Sequence, residues 1–188
     1  MDTEVGFRRK CRRYNTPGHA HFLTFSCYKQ QAFLSKDRIR HYLAEALLKA
    51  KGKYHFDIWA YVFMPEHVHF LLWPWEETYS ISSVLHSIKQ SVSRRAVIYL
   101  RKHNPTGLEF LATGQKDRPY RFCQDGGGHD RNVISPKAIR ATIEYIHNNP
   151  VRRGLVQDPT QWPWSSASDW LKQLEGPVPI DKHSVPML

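Results

Sequence analysis

Two stretches of β character carry histidines in the pattern His-x-His. One is His67-Val68-His69, inside MPEHVHFLLWP at residues 64–74; the other is His19-Ala20-His21, opening HAHFLTFSCY at residues 19–28. Side chains alternate along a strand, so each pair sets two imidazoles on one face. Neighbouring imidazoles suit a divalent cation. The chain has 11 histidines, enough for such pairs to arise by chance, and spacing alone does not choose between the two. A second polar arrangement lies downstream in IEYIHNNPVRRGLV, residues 143–156. Ile139, Ile143 and Ile146 form a helical packing stripe. Tyr145 falls roughly 120° from its centre at 100° per residue, with Asn149 one turn on along the same flank. Read from spacing alone, this tyrosine is either a boundary aromatic or a polar group turned toward a ligand.

These residues need elements to hold them. Residues 19–28 read as a first strand, and Ile39, Leu43, Ala46, Leu47 and Ala50 recur at helical spacing up to Gly52. Residues 54–64 and 66–73 read as two strands joined tightly at Met64-Pro65. A second helix is expected over 80–102, on the stripe Ile81, Val84, Leu85, Ile88, Val92 and Tyr99. Residues 103–119 read as loop, YRFCQ and RNVI as short extended pieces, and GGG at 126–128 as a hinge or a turn. Ser135-Pro136 opens a third helix, expected to stop near Asn149 because a proline follows. The order predicts an α+β fold: a ferredoxin-like (RRM-like) βαββαβ antiparallel sheet with an additional C-terminal helix carrying the tyrosine. The expected organisation is a single domain over 1–188, with a basic arm at 1–18 and a flexible proline-containing tail from about 172 to 188.

Composition sets the partner class. The chain has 188 residues, 27 Lys and Arg against 17 Asp and Glu, and a net charge of +10. That imbalance favours a polyanion, most simply nucleic acid. No apolar run is long enough to span a membrane, and the first residues lack an apolar signal region. Three widely spaced cysteines form neither a disulfide framework nor a zinc set. A cytoplasmic, nucleoid-associated protein is expected. An RNA recognition motif fits the architecture, but no segment matches its glycine-containing octapeptide.

A His-hydrophobic-His strand followed by a helical Tyr with an amide four residues on resembles the single-tyrosine HUH endonucleases. Within them MPEHVHFLL, YIHNNPVRRGLV and WPWSSASDW, taken in order, resemble the REP-associated tyrosine transposases, bacterial relatives of the small insertion-sequence transposases. The resemblance covers roughly residues 15–170. It selects His67 and His69 as metal ligands, because they directly follow Met-Pro-Glu; His19 and His21 fall where the family has no ligand. It implies Asn149 as third ligand through its amide oxygen, Mg²⁺ or Mn²⁺ as the metal, and Tyr145 as nucleophile forming a 5′-phosphotyrosine. His147 is then structural. The implied substrate is single-stranded DNA beside a REP-like hairpin. The DNA contacts expected are Arg8, Arg9, Lys10, Arg12, Arg13 and Tyr14 of the arm, Lys89, Arg94 and Arg95 of the second helix, and Arg152 and Arg153 after the tyrosine. Phe22, Trp73 and Trp75 are further candidates for stacking bases, while Trp162, Trp164 and Trp170 are expected to seal the third helix onto the domain. A monomer is the expected state, with a homodimer as the alternative. The rival readings are a non-catalytic or domesticated hairpin-binding module for DNA or RNA, and a hydrolase that uses water in place of tyrosine.

Overall fold

The computed structural model describes residues 13–126, 128–172 and 174–186. Four strands form one antiparallel sheet: β1 (Ala20–Ser26), β2 (Phe56–Phe63), β3 (His67–Pro74) and β4 (His129–Val133), in the order β2-β3-β1-β4. Helix α1 (Asp37–Tyr54) joins β1 to β2, and α2 (Ile81–His103) leads from β3 toward β4. Helix α3 (Pro136–Arg152) follows β4, and a short α4 (Ala167–Lys172) comes after it. The βαββαβ order and the added helix stand as the sequence predicted.

Local chemistry explains the boundaries. Ser80 caps α2 by accepting from the Ser83 amide, and Arg101, Lys102 and His103 sit in its last turn. Ser135 caps α3 by accepting from the Ala138 amide, with Pro136 in the first turn. One boundary differs from expectation: α3 runs through Pro150 to Arg152. Proline there removes one hydrogen bond close to a helix end, where the chain is soon to turn anyway. The Arg153 amide still donates to the Asn149 carbonyl, and Leu155 donates to the Pro150 carbonyl.

Both faces of the sheet are covered. Leu23, Phe25, Val68, Phe70 and Leu72 pack against α1 and α2. Ala20, Phe22, Val62 and Leu71 pack on the other face with Ile139, Ile143 and Ile146 of α3. The face left open by the first two helices is therefore closed by the tyrosine helix. Register places the histidine pairs on opposite faces. His69 pairs with Thr24 and His67 with Ser26, on the α3 side; His21 pairs with Leu72, on the α1–α2 side.

The free edge of β2 is closed by the C-terminal segment. The Phe63 amide donates to the Trp164 carbonyl and the Ser166 amide to the Tyr61 carbonyl. The indoles of Trp162, Trp164 and Trp170 donate to Phe63 O, Asp37 Oδ1 and Trp59 O respectively. These tryptophans dock the segment on β2, and pairing an edge strand in this way removes a template for aggregation. The tail expected to be flexible is also packed. Val178 is fully buried, and Asp181 takes an ion pair from Lys51 at 2.6 Å while its side chain accepts from the Ile58 amide. Its hydrophobic and polar anchors were hidden from a reading that weighed only its prolines.

Two further expectations change. YRFCQ forms isolated bridges, Cys27 to Cys123 and Ala112 to Tyr120, instead of a strand; Cys27 and Cys123 are free thiols. In the GGG stretch, Gly128 has φ +69° and lies so close to β1 that a Cβ there would collide with the Thr24 carbonyl. Glycine is required at that position for a close approach between β4 and β1. No described helix is long and apolar enough to cross a membrane.

A candidate metal centre beside Tyr145

Strand β3 presents His67 and His69 toward α3, and their Nε2 atoms lie 3.1 Å apart. Each ring is held from its other nitrogen. His67 Nδ1 is 3.1 Å from Glu66 Oε1, and His69 Nδ1 is 2.7 Å from Thr24 Oγ1. A carboxylate only accepts, so His67 donates from Nδ1 and keeps a lone pair on Nε2 when neutral. Asn149 reaches in from α3 and donates through Nδ2 to His69 Nε2 at 3.1 Å, so that nitrogen also presents a lone pair. Burial drives the His67 pKa down against the pull of Glu66. Burial, with His67 and His129 nearby, pushes His69 down to about 3. Both imidazoles are thus neutral near pH 7, with their lone pairs converging.

That arrangement fits a divalent ion. Two nitrogens each about 2.1 Å from one cation, at right angles, lie about 3 Å apart. The Asn149 amide can turn over by 180° and present Oδ1 where Nδ2 now lies; the two ends are isosteric. Among the described residues no group of three His, Cys, Asp or Glu could hold a metal; the further polar group at His69 is the Asn149 amide.

Tyr145 stands beside this cluster. Its ring centroid is 5.6 Å from His69 and 5.7 Å from Phe22, both edge-on. Phe22 in turn stacks on His69 at 5.4 Å and meets His129 at 5.9 Å. The tyrosine is 39% exposed, so its hydroxyl can meet an incoming ligand. The Arg152 guanidinium lies 4.9 Å from the Tyr145 ring centre, two turns along the same helix. The expected helical flank therefore carries Tyr145, Asn149 and Arg152 together.

The other expected residues are distributed as follows. His21 is fully buried between Asp130 Oδ1 and the Tyr79 hydroxyl, both at 2.8 Å. It is a core histidine with both ring nitrogens partnered. His147 is buried and lies 2.9 Å from Ser166 Oγ. Arg8, Arg9, Lys10 and Arg12 lie outside the described residues. Arg13 pairs with Asp130, and Tyr14 is exposed. Lys89 donates to the carbonyls of Gln124 and Gly126. Arg95 bridges α2 to Glu45 of α1 at 2.6 Å and covers the Tyr42 ring. Arg94 is exposed on α2. Arg153 reaches Glu66 Oε1 at 2.6 Å. Of the further aromatics, Phe22 and Trp73 are packed, whereas Trp75 is exposed. Thr24, His129 and the carboxylate of Glu66 escaped the sequence reading. The alternation of Phe22 and Thr24 on β1 was the available signal, but it needs the β1–β3 register to become informative.

The buried histidines give this site a pH signature. His147 is pushed by burial down to about 4, and His69 lies lower still. Their unfolded values are near 6.5, so between those limits the unfolded chain holds protons that the folded chain does not. Stability is then complete above pH 6.5 and declines as pH falls through that window. For His147 alone the loss is roughly 3 kcal/mol. Chemical denaturation of the metal-free protein at pH 7 and pH 4.5 measures it, and His147→Gln should flatten the slope.

A profile of the family described as "Transposase IS200 like" matches residues 16–110, which include both strands of the histidine cluster. The chain is 27% identical over 157 residues to a REP-associated tyrosine transposase of Escherichia coli (strain K12), spanning 82% of this chain and 80% of the relative. Its fold is similar to that of a REP-associated tyrosine transposase solved bound to a REP hairpin: TM-score 0.68 and 23% identity, covering 95% of this chain and 94% of the other. With half of its length matched by that profile, the chain belongs to the IS200-like transposase family.

Proposed function

We propose that this protein cuts and rejoins single-stranded DNA beside a hairpin, using Tyr145 as nucleophile and a Mg²⁺ or Mn²⁺ ion held by His67, His69 and Asn149. The observation that carries the reading is the approach of two imidazole Nε2 atoms to 3.1 Å, within one ring contact of a half-exposed tyrosine. When bound, the cation would neutralise charge on a phosphodiester and orient it for in-line displacement. The chain's own residues supply the rest. Glu66 fixes the His67 tautomer, and Thr24 holds the His69 ring in place. Phe22 backs both His69 and Tyr145. Arg152 sets a positive charge over the Tyr145 ring, where an incoming phosphate would meet it. Attack forms the Tyr145 Oη–P bond and breaks the P–O3′ bond; the phenolic proton passes to solvent, and O3′ takes up a proton from solvent and leaves as a free hydroxyl. Bond energy is kept in the phosphotyrosine, so a second 3′-hydroxyl can reverse the step.

Hairpin recognition is supported by a basic groove of about 880 Å³ between α2 and residues 117–126. Its lining includes Arg13, Lys89, Arg94, Arg101, Arg118 and Arg121, against the carboxylates Asp117 and Asp125. Arg94→Ala with Arg101→Ala should reduce the salt dependence of hairpin binding by about two in log–log slope. Fluorescence anisotropy across a salt series measures it.

The test of the reaction is product analysis on a labelled single strand carrying a hairpin from the neighbourhood of the coding sequence. Cleavage with Mn²⁺ and not with EDTA, leaving a free 3′-hydroxyl on one fragment and a protein-blocked 5′ end on the other, is the expected result. A free 5′-phosphate from the first turnover would indicate water as nucleophile.

A further inference from the structure

The metal ligands and the nucleophile stand on different elements. His67 and His69 belong to β3, while Tyr145 and Asn149 belong to α3. The packing between them is the stripe Ile139, Ile143 and Ile146 against the sheet. Apolar contact is non-directional and does not by itself define how far a helix slides along its axis. Near the end of α3 the missing amide of Pro150 also loosens the hydrogen-bond ladder. Asn149 itself meets His69, and His147 earlier in the helix meets Ser166 Oγ at 2.9 Å; a further directional contact must fix the helix end.

One carboxylate oxygen does so. Glu66 Oε1 meets His67 Nδ1 at 3.1 Å and Arg153 Nη1 at 2.6 Å. Arg153 is the residue immediately after α3. Glu66 is itself a fixed post. Its carbonyl accepts from the Cys27 amide at 2.8 Å, the preceding Pro65 carbonyl accepts from Leu34 at 2.9 Å, and the Met64 amide closes the turn on the His67 carbonyl at 2.9 Å. Its side chain is 16% exposed.

We propose that Glu66 and Arg153 form a positioning pair that ties the end of the tyrosine helix to the His67 tautomer, so that the metal ligands and the nucleophile are registered by a single oxygen. The proposal rests on the metal reading of His67 and His69. An ion pair with one half-exposed partner contributes little to stability. Its role here is geometric. Arg153, expected as a DNA contact, is thereby a structural element of the site. Outer contacts of this kind orient ligands, and their loss commonly weakens metal affinity by about 10- to 100-fold.

The test uses the full chain and two readouts besides activity: Mn²⁺ affinity by electron paramagnetic resonance, and the His67 tautomer by ¹⁵N resonance of the imidazole in metal-free protein. The expected wild-type tautomer is Nδ1–H. Glu66→Ala should mix the tautomers and weaken Mn²⁺ about tenfold or more. Arg153→Ala should weaken Mn²⁺ several-fold in the Glu66 background and have no effect in the Glu66→Ala background, with Arg153→Lys restoring part of the loss. Additive effects across the cycle, or a wild-type tautomer in Glu66→Ala, would overturn the pair. Weakened hairpin binding in Arg153→Ala regardless of residue 66 would also overturn it and return Arg153 to the DNA. If wild type and His67→Ala bind Mn²⁺ equally, the metal reading fails separately, and the tautomer measurement still decides whether Glu66 orients His67.

Discussion

Tyr145→Phe is expected to lower covalent protein–DNA adduct formation by roughly a thousand-fold or more while leaving hairpin affinity within about twofold. The substitution removes one oxygen from a residue that is 39% exposed. Among the described residues its hydroxyl has no hydrogen-bond partner, so no buried donor is stranded. The ring contacts with Phe22 and His69 are kept. A fall in activity therefore reports on nucleophilicity and not on folding. Denaturing gels measure the adduct and anisotropy measures binding. Retention of the adduct in Tyr145→Phe would remove this residue from its role.

His67→Ala and His69→Ala are expected to abolish Mn²⁺-dependent cleavage, again by roughly a thousand-fold or more, and to remove most Mn²⁺ affinity. His21→Ala provides the contrast. It has the same His-x-His spacing in sequence, yet it lies on the opposite face of the sheet, between Asp130 and Tyr79. Its loss takes one partner each from Asp130 and Tyr79, which keep Arg13 and the Thr16 carbonyl, and should cost about 1–3 kcal/mol of stability. Mn²⁺ affinity should be unchanged. Calorimetric titration of the three variants, alongside thermal denaturation, separates the two kinds of histidine. Loss of Mn²⁺ binding in His21→Ala with retention in His67→Ala would reverse the assignment.

Much of this site was legible because local patterns and global topology agree. The alternation around Val68 and the isoleucine stripe of α3 each state which way a side chain points. The tyrosine flank followed from 100° per residue, and Tyr145 does stand half-exposed beside Phe22. The choice between histidine pairs was not legible from spacing. It depends on strand register, in which His69 meets Thr24 but His21 meets Leu72. Resemblance to a family made the choice in the sequence; in the structure His69 shares a face with Asn149 and Tyr145, and His21 does not. Glu66 was read as part of a motif and Arg153 as a DNA contact. Their pairing links residues 87 positions apart and has no periodic signature. Pro150 misled in the usual way: a preference against helix before proline was outweighed by burial at the end of α3. The tail misled because proline content says nothing of an aspartate that meets both a lysine and a backbone amide.

The central claim is that Tyr145, beside His67 and His69, takes the DNA covalently. The most direct measurement is mass spectrometry of the trapped protein–DNA conjugate after nuclease and protease digestion. The account predicts a nucleotide attached through phosphate to the peptide between Arg140 and Arg152, on Tyr145, formed with Mn²⁺ and absent with EDTA. A nucleotide on any other residue, or cut DNA with unmodified protein under trapping conditions, would contradict it.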